Sequence, residues 1–153
     1  MSDITGRFVW YELMTTDLDA AERFYADVIG WSTRDAGMGG PRYTIASTGA
    51  STGASAGDRM VAGMMAVPDH LRDSGIRPHW IGYIACPDVD AYAARVAERG
   101  GRIHRAPDDI PGVGRFAVVA DPQGAAFVLF KGAGDAEPAA PAKRPASRRK
   151  ASA

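Results

Sequence analysis

Apolar residues first fall into a helical rhythm after Thr16. Ala20, Ala21, Phe24, Tyr25, Val28 and Ile29 recur at spacings of three and four, the stripe of an amphipathic helix. Thr16 or Asp17 stands where a side-chain oxygen can accept from the free N–H groups of the first turn. Asp19 suits the positive end of the helix dipole, and Gly30 suits a left-handed stop. The preceding run, Phe8-Val9-Trp10-Tyr11-Glu12-Leu13-Met14, is rich in strand-forming types.

The same order returns 71 residues later. Asp17, Asp19, Ala20, Ala26 and Gly30 meet Asp88, Asp90, Ala91, Ala97 and Gly101. The second helix carries Val89, Tyr92, Ala93 and Val96 on one stripe, and its strand is Trp80-Ile81-Gly82-Tyr83-Ile84-Ala85-Cys86. Strand, cap, stripe and terminal glycine agree in sequence order, which marks two copies of one supersecondary unit. After each helix the pattern turns to strands. Arg42-Tyr43-Thr44-Ile45-Ala46 corresponds to Arg115-Phe116-Ala117-Val118-Val119, and the run 59–67 corresponds to 125–130. Asp121-Pro122-Gln123-Gly124 reads as a tight turn. The equivalent connection, 47–57, is almost all Ser, Thr, Gly and Ala, which predicts a flexible loop. Residues 34–41, with Gly37, Gly39 and Gly40, form a second loop candidate, and 67–79 link the two copies.

These residues resemble a known family. Trp10-Tyr11-Glu12-Leu13-Met14-Thr15-Thr16-Asp17, Ala20-Ala21-Glu22-Arg23-Phe24-Tyr25, Val28-Ile29-Gly30-Trp31 and the Asp121 turn are similar to the vicinal oxygen chelate superfamily. That is the group of glyoxalase I, bleomycin-resistance proteins and extradiol dioxygenases. The resemblance covers residues 8–132. It implies an α+β fold of two βαβββ modules related by a pseudo-twofold, about 7–67 and 79–132, whose curved mixed sheets form a cup within one domain, 1–132. It does not by itself supply an activity.

Metal-using members of that family place His, Gln or Glu on cup-facing strand positions. Here those positions fall on Trp10, Ile81 and Val128, with the fourth near Gly63. None of these side chains ligates a metal, so no metal and no cofactor are expected. His70 reads as a solvated linker residue, His79 as a backbone-bonded residue at the start of a strand, and His104 as a strand or edge residue between arginines.

Strand alternation puts Phe8, Trp10, Glu12 and Met14 on one face and Val9, Tyr11 and Leu13 on the other. The resemblance assigns the first set to the cup, together with Ile81, Tyr83, Val128 and Phe130. The expected ligand-binding set is therefore Trp10, Glu12, Met14, Ile81, Tyr83, Val128 and Phe130, with Glu12 as the candidate catalytic residue. The 71-residue offset sets Glu12 opposite Tyr83. Two readings of Glu12 stand side by side. A carboxyl in an apolar pocket can act as a general acid or base, or anchor a cationic or hydroxylated ligand. It can equally be a structural strut, bonded to Tyr83 or to an arginine.

Composition and charge narrow the classes. The chain has 153 residues, 46% hydrophobic and 24% charged, ordinary for a globular protein. Residues 133–153 carry five basic and two acidic groups, a net +3. Residues 1–132 carry 13 basic and 16 acidic groups, a net −3. The body is thus no nucleic-acid surface, and the basic end supports only weak contact. No apolar run is long enough for a membrane helix, and no signal peptide is visible at Met1-Ser2-Asp3-Ile4. With Cys86 alone there is no intrachain disulfide, and a reducing cytoplasm is expected. Cys86 reads as a small buried hydrophobe, Ser47, Ser51 and Ser55 lack a nucleophile setting, and Gly37-Met38-Gly39-Gly40 follows a helix rather than opening one.

The expectation is a protein that binds a small, partly aromatic organic molecule in an apolar cup, without metal, as a cytoplasmic homodimer. The alternatives are a metal-dependent lyase or dioxygenase-like enzyme with relocated ligands, and a non-catalytic structural dimer. The end of the chain from Ala136 has no aromatic or branched aliphatic residue, which predicts a disordered tail. A chain ending at Asp135 is therefore expected to melt within a few degrees of the full one, as differential scanning calorimetry would show.

Overall fold

A computed structural model describes residues 3–49 and 59–135. Of the predicted loop 47–57, Ser47 and Thr48 instead continue β3, where the ladder with β4 takes them up, and 50–57 lie outside the described residues, as does the predicted tail from Ala136. The element order is β1 (Phe8–Thr15), α1 (Leu18–Ile29), β2 (Ser32–Asp35), β3 (Tyr43–Thr48), β4 (Arg59–Ala66), α2 (Asp69–Arg72), β5 (His79–Ala85), α3 (Val89–Glu98), β6 (Arg102–Ile110), β7 (Gly114–Ala120) and β8 (Ala126–Gly132). This is an α+β fold, and each copy of the repeat runs strand, helix, three strands. β2 and β6 supply the third strands that follow the helices, and α2 is a single turn in the link.

The chain divides into two compact units. One holds residues Gly6–Ile84 and Ala126–Val128, with strand order β2-β3-β4-β1-β5-β8. β1 runs parallel to β4 and antiparallel to β5. Leu13, Leu18, Ala46, Ala62 and Met64 form its core, with Ala21, Tyr25, Trp31 and Val61 packed against them. Met64 and Ala46 are fully enclosed, so the α1 side of this sheet is its main source of apolar burial. The other unit holds 85–125 and 129–135 with residues 3–5, and orders its strands β8-β7-β6. There Val89 and Ala93 of α3 are buried, as are Phe116, Ala117 and Val119 of β7.

Local chemistry explains the element ends. The Asp17 carboxylate accepts from the Ala20 N–H at 2.9 Å, and Asp88 accepts from Ala91 at 3.0 Å. Both caps satisfy a helix-terminal N–H that has no partner in its own helix. Gly30 closes α1 at φ 86°, its N–H donating to the carbonyls of Tyr25 and Ala26. In α3 the left-handed residue is Gly100, at φ 89°, one position earlier than the repeat aligns it. Gly101 serves a different need, because a Cβ there would lie 2.5 Å from the Ala120 carbonyl oxygen. The Asp121 turn forms as expected, with Gly124 N–H donating to the Asp121 carbonyl at 2.9 Å.

The repeat also shares an ion pair. Arg42, just before β3, meets Asp19 at 2.7 Å, and Arg115, in β7, meets Asp90 at 2.7 Å. Each ties the first helical turn to the second strand after that helix, β3 or β7. Two expectations need correction. Register shifts between Phe8 and Trp10 where β1 pairs with β5. The irregularity turns Phe8 onto the face of Tyr11, where its ring stacks at 6.0 Å and covers Gly82. And the α1 stripe is only partly covered: Leu18, Ala21 and Tyr25 meet the core, whereas Phe24, Val28 and Ile29 are exposed. No helix among the described residues is long and apolar enough to cross a membrane.

The two caps do equivalent work, so Asp17→Ala and Asp88→Ala are each expected to cost about 1 kcal/mol in urea denaturation, with unchanged m-value.

Candidate functional site

Glu12 sits in the middle of β1, paired with Gly63 of β4 on one side and Ile81 of β5 on the other. Its side chain is 8% exposed, and it is the one buried acidic residue among the described residues. Tyr43 and Tyr83 both donate their hydroxyls to Glu12 Oε2, each at 2.9 Å. The Trp10 indole N–H in turn donates to the Tyr43 hydroxyl at 3.0 Å. Trp10, Tyr43, Tyr83 and Glu12 thus form one hydrogen-bonded chain ending on a single carboxylate oxygen.

Three features of the fold make this cluster possible. Alternation along β1 points Trp10 and Glu12 to the same side, away from Leu13 and the α1 core. Antiparallel pairing sets Trp10 beside Tyr83, one residue pair from Glu12–Ile81. And Gly63 leaves room for Tyr43: a Cβ at Gly63 would fall 1.8 Å from the Tyr43 hydroxyl. The phenol therefore lies across β4 to reach β1, over the one position where β4 has no side chain.

Burial pushes the Glu12 carboxyl above its ordinary range, while the hydrogen bonds from Tyr43 and Tyr83, and then the nearby His79, pull it partly back. Both phenols are pushed well above their usual value, by burial first and then by the Glu12 charge. They remain hydroxyl donors throughout the physiological range. His79 holds its Nδ1 at 2.8 Å from the Arg77 carbonyl, a backbone bond at the start of β5. Cys86 is buried, with its thiol pushed up by that burial, which suits a packing role over a nucleophilic one. His70 and His104 are exposed.

The expected residues come together unevenly. Trp10, Glu12, Met14, Ile81 and Tyr83 share one face of the β1–β5 pair. Val128 is buried in the same unit, and Phe130, half-buried, belongs to the other. Tyr43 was missed, although its correspondence with Phe116 marks a phenol hydroxyl that the second copy lacks. A cleft of about 500 Å³ is also present, lined by Phe8, Tyr11, Trp31, Met60 and Trp80 among others. Of the seven expected ligand-binding residues it touches Trp10 alone.

The metal positions of the resembled family can be tested on the donor set. Trp10, Ile81 and Val128 offer no ligating atom, and the space over Gly63 is taken by Tyr43. Glu12 has both phenols donating to it. Among the described residues no three of His, Cys, Asp or Glu gather as a ligand set. These residues do not fit a metal ion.

Comparison with known proteins matches this geometry to a family. Residues 7–129 match the family model described as "Glyoxalase/Bleomycin resistance protein/Dioxygenase superfamily". The chain is 40% identical over 128 residues to a Mycobacterium bovis protein named "Putative glyoxylase CFP32", covering 83% of this chain and 44% of that one. It is 33% identical over 135 residues to the "Anthracycline biosynthesis protein DnrV" of Streptomyces peucetius, covering 82% and 47%. The chain therefore spans less than half the length of these curated relatives. Among solved structures, a Streptomyces coelicolor methylmalonyl-CoA epimerase bound to 2-nitronate-propionyl-CoA has the same fold. Its TM-score is 0.57 at 21% identity, covering 89% of this chain and 100% of that one. The chain belongs to the Glyoxalase/Bleomycin resistance protein/Dioxygenase superfamily.

Proposed function

We propose that this protein binds a small, partly aromatic organic molecule on the Glu12 face of its larger unit, without a metal. The observation that carries the reading is the buried Glu12 carboxyl, flanked by Trp10, Met14 and Ile81 and held by two phenols. A desolvated carboxyl costs folding energy unless something compensates it, and an apolar residue of similar volume would fit the same strand position at lower cost. Retaining the acid there is explained by a ligand whose hydroxyl or cationic group it receives. Trp10 and Tyr83 supply ring surfaces beside it. The anthracycline context in the DnrV name favours a fused aromatic ring system as the first ligand class to try.

The hydrogen bonds themselves favour a second reading. Tyr43 and Tyr83 already satisfy Glu12 Oε2, so the cluster can serve as a strut joining β1, β3 and β5. One substitution separates the two. In Glu12→Gln the amide oxygen still accepts from both phenols, and the charge is gone. Because the folded-state pKa of Glu12 is raised, its contribution to stability is fully present below the unfolded-state value and is lost as pH rises through the folded one. Under the ligand reading, the variant is expected to match wild type in acid and to melt higher at neutral pH. Its affinity for an anthraquinone probe, read by tryptophan quenching, is expected to fall by roughly 1.5–3 kcal/mol. A lower melting temperature at neutral pH with unaltered probe affinity would assign Glu12 to the strut.

The metal-free part of the reading has its own check. Elemental analysis of the gently purified protein is expected to find well under one Zn, Ni, Mn or Fe per chain. A stoichiometric metal, lost on chelation together with probe binding, would overturn it.

A further inference from the structure

The cleft lies on the side of β1 opposite Glu12. Alternation sets Tyr11, Met60 and Trp80 on that side, and the shift in β1 adds Phe8. Two ring pairs flank the space. Phe8 stacks on Tyr11 at 6.0 Å, and Trp31 meets Trp80 edge to face at 6.0 Å. Ala62, also in the lining, is short enough to leave the space open. None of the nine residues that line the cleft is charged. Its volume of about 500 Å³ is within the ordinary range of small-molecule sites.

One charged group stands at the lip. Arg34 of β2 holds its Nη2 3.7 Å from the Met60 Sδ. A thioether is a weak acceptor, and Arg34 makes no ion pair among the described residues. The repeat supplies the contrast. At the 71-residue offset Arg34 meets Arg105, which pairs with Asp108 at 3.0 Å and lies over the Phe116 ring at 4.9 Å. Tyr11 meets Gly82, and Trp31 meets Arg102. The second copy thus builds the same elements without these rings and with its arginine already paired. Ring surface and an unpaired guanidinium occur together in the first copy, and the fold requires neither.

We propose that this cleft binds an aromatic acid, a flat ring system bearing a carboxylate or sulfonate, with the rings between Tyr11 and Trp80 and the anion on Arg34. Phe8, Tyr11, Met60 and Trp80 are exposed, so a flat ring laid among them removes apolar surface from water. The faces of those rings are electronegative and do not hold an anion; the lip does, because the guanidinium stands there. A carboxylate at the lip replaces the thioether contact with a charge-assisted bidentate pair. A cationic ligand would meet the like charge of Arg34 instead. Arg7 and Arg59 precede Phe8 and Met60 where the parallel strands β1 and β4 begin, and they add positive potential at that end. The acidic chain neighbour of the lining residues, Glu12, faces the other side of β1. The proposal is therefore independent of any ligand at Glu12.

Isothermal titration calorimetry of the full chain with 2-naphthoate, and with the neutral 2-naphthalenemethanol, tests it. The expected result is one 2-naphthoate per chain with a Kd below about 1 mM. The alcohol is expected to bind at least about tenfold more weakly, the measure of one charged hydrogen bond. Arg34→Gln is expected to erase that difference while leaving the affinity for the alcohol unchanged, the pattern a double-mutant cycle assigns to a direct contact. Arg34 is exposed, so this variant keeps the fold. Tyr11→Ser is expected to weaken both compounds, and Met60→Ser serves if that variant does not fold. Arg105→Gln, the repeat equivalent, is expected to change neither. Absence of saturable 2-naphthoate binding would overturn the proposal. So would equal affinity for acid and alcohol, or a preference for the acid that survives Arg34→Gln or is lost equally in Arg105→Gln. Affinity that collapses as the protein is raised from about 1 to 100 µM would give the cleft to a second copy of the chain and overturn it too.

Discussion

One buried carboxyl constrains the larger unit more than any other group. Glu12 stands at the centre of a sheet, between β4 and β5, and is only 8% exposed. Its neighbours are shaped to that fact. Tyr43 and Tyr83 give hydroxyls to one oxygen, Trp10 fixes the rotor of Tyr43, and Gly63 vacates the space through which Tyr43 reaches. Remove any one of these and a buried polar atom loses a partner, a change worth on the order of 1–3 kcal/mol. The register of β3 against β4 and of β1 against β5 is thus held by polar contacts on one face as well as by apolar packing on the other.

The two copies of the repeat share a skeleton and divide other tasks. Both cap their helix with an aspartate, and both pair the first helical turn with an arginine before or within the second strand after the helix. These contacts set local geometry, so both copies need them. The copies differ where geometry leaves a choice. Tyr43 has Phe116 as its counterpart, so the second copy lacks the hydroxyl that completes the cluster. The first copy also keeps outward apolar residues where the second has arginines. Three members of the cluster, Trp10, Glu12 and Tyr43, belong to the first copy, and Tyr83 comes from the first strand of the second.

What could be read from the sequence follows the range of the interaction. The caps, the Asp121 turn and the helix stripes depend on residues within four or five positions, and they appear where the pattern puts them. The Glu12–Tyr83 contact spans 71 residues, yet it was legible because the repeat supplies the offset directly. Tyr43 was not, because its reach depends on how β3 registers against β4 and on Gly63, the β4 residue paired with the acid. Phe8 was misplaced because alternation assumes an unbroken strand, and the shift between Phe8 and Trp10 reverses its side. The stripe of α1 was found, but periodicity gives the width of an apolar face and not which part of it the sheet will cover.

That last point bears on how one element of a small repeated fold divides its residues between the core and the surface. The apolar stripe of α1 is of ordinary density, but only part of it packs on the sheet. The inner set, Leu18, Ala21 and Tyr25, is committed to packing and cannot drift. The outer set, Phe24, Val28 and Ile29, contributes nothing to that core, so its side chains answer only to what lies outside the unit. At the 71-residue offset Phe24 and Val28 meet Arg95 of α3 and Arg99 at its C-cap, so the repeated geometry does not require apolar side chains at these two positions. The same separation holds across β1, where Glu12 and Trp10 face one environment and Tyr11 and Phe8 face another. A strand with two differently committed faces lets the side chains of one face change without disturbing the other, because the backbone between them is fixed by pairing with β4 on one edge and β5 on the other.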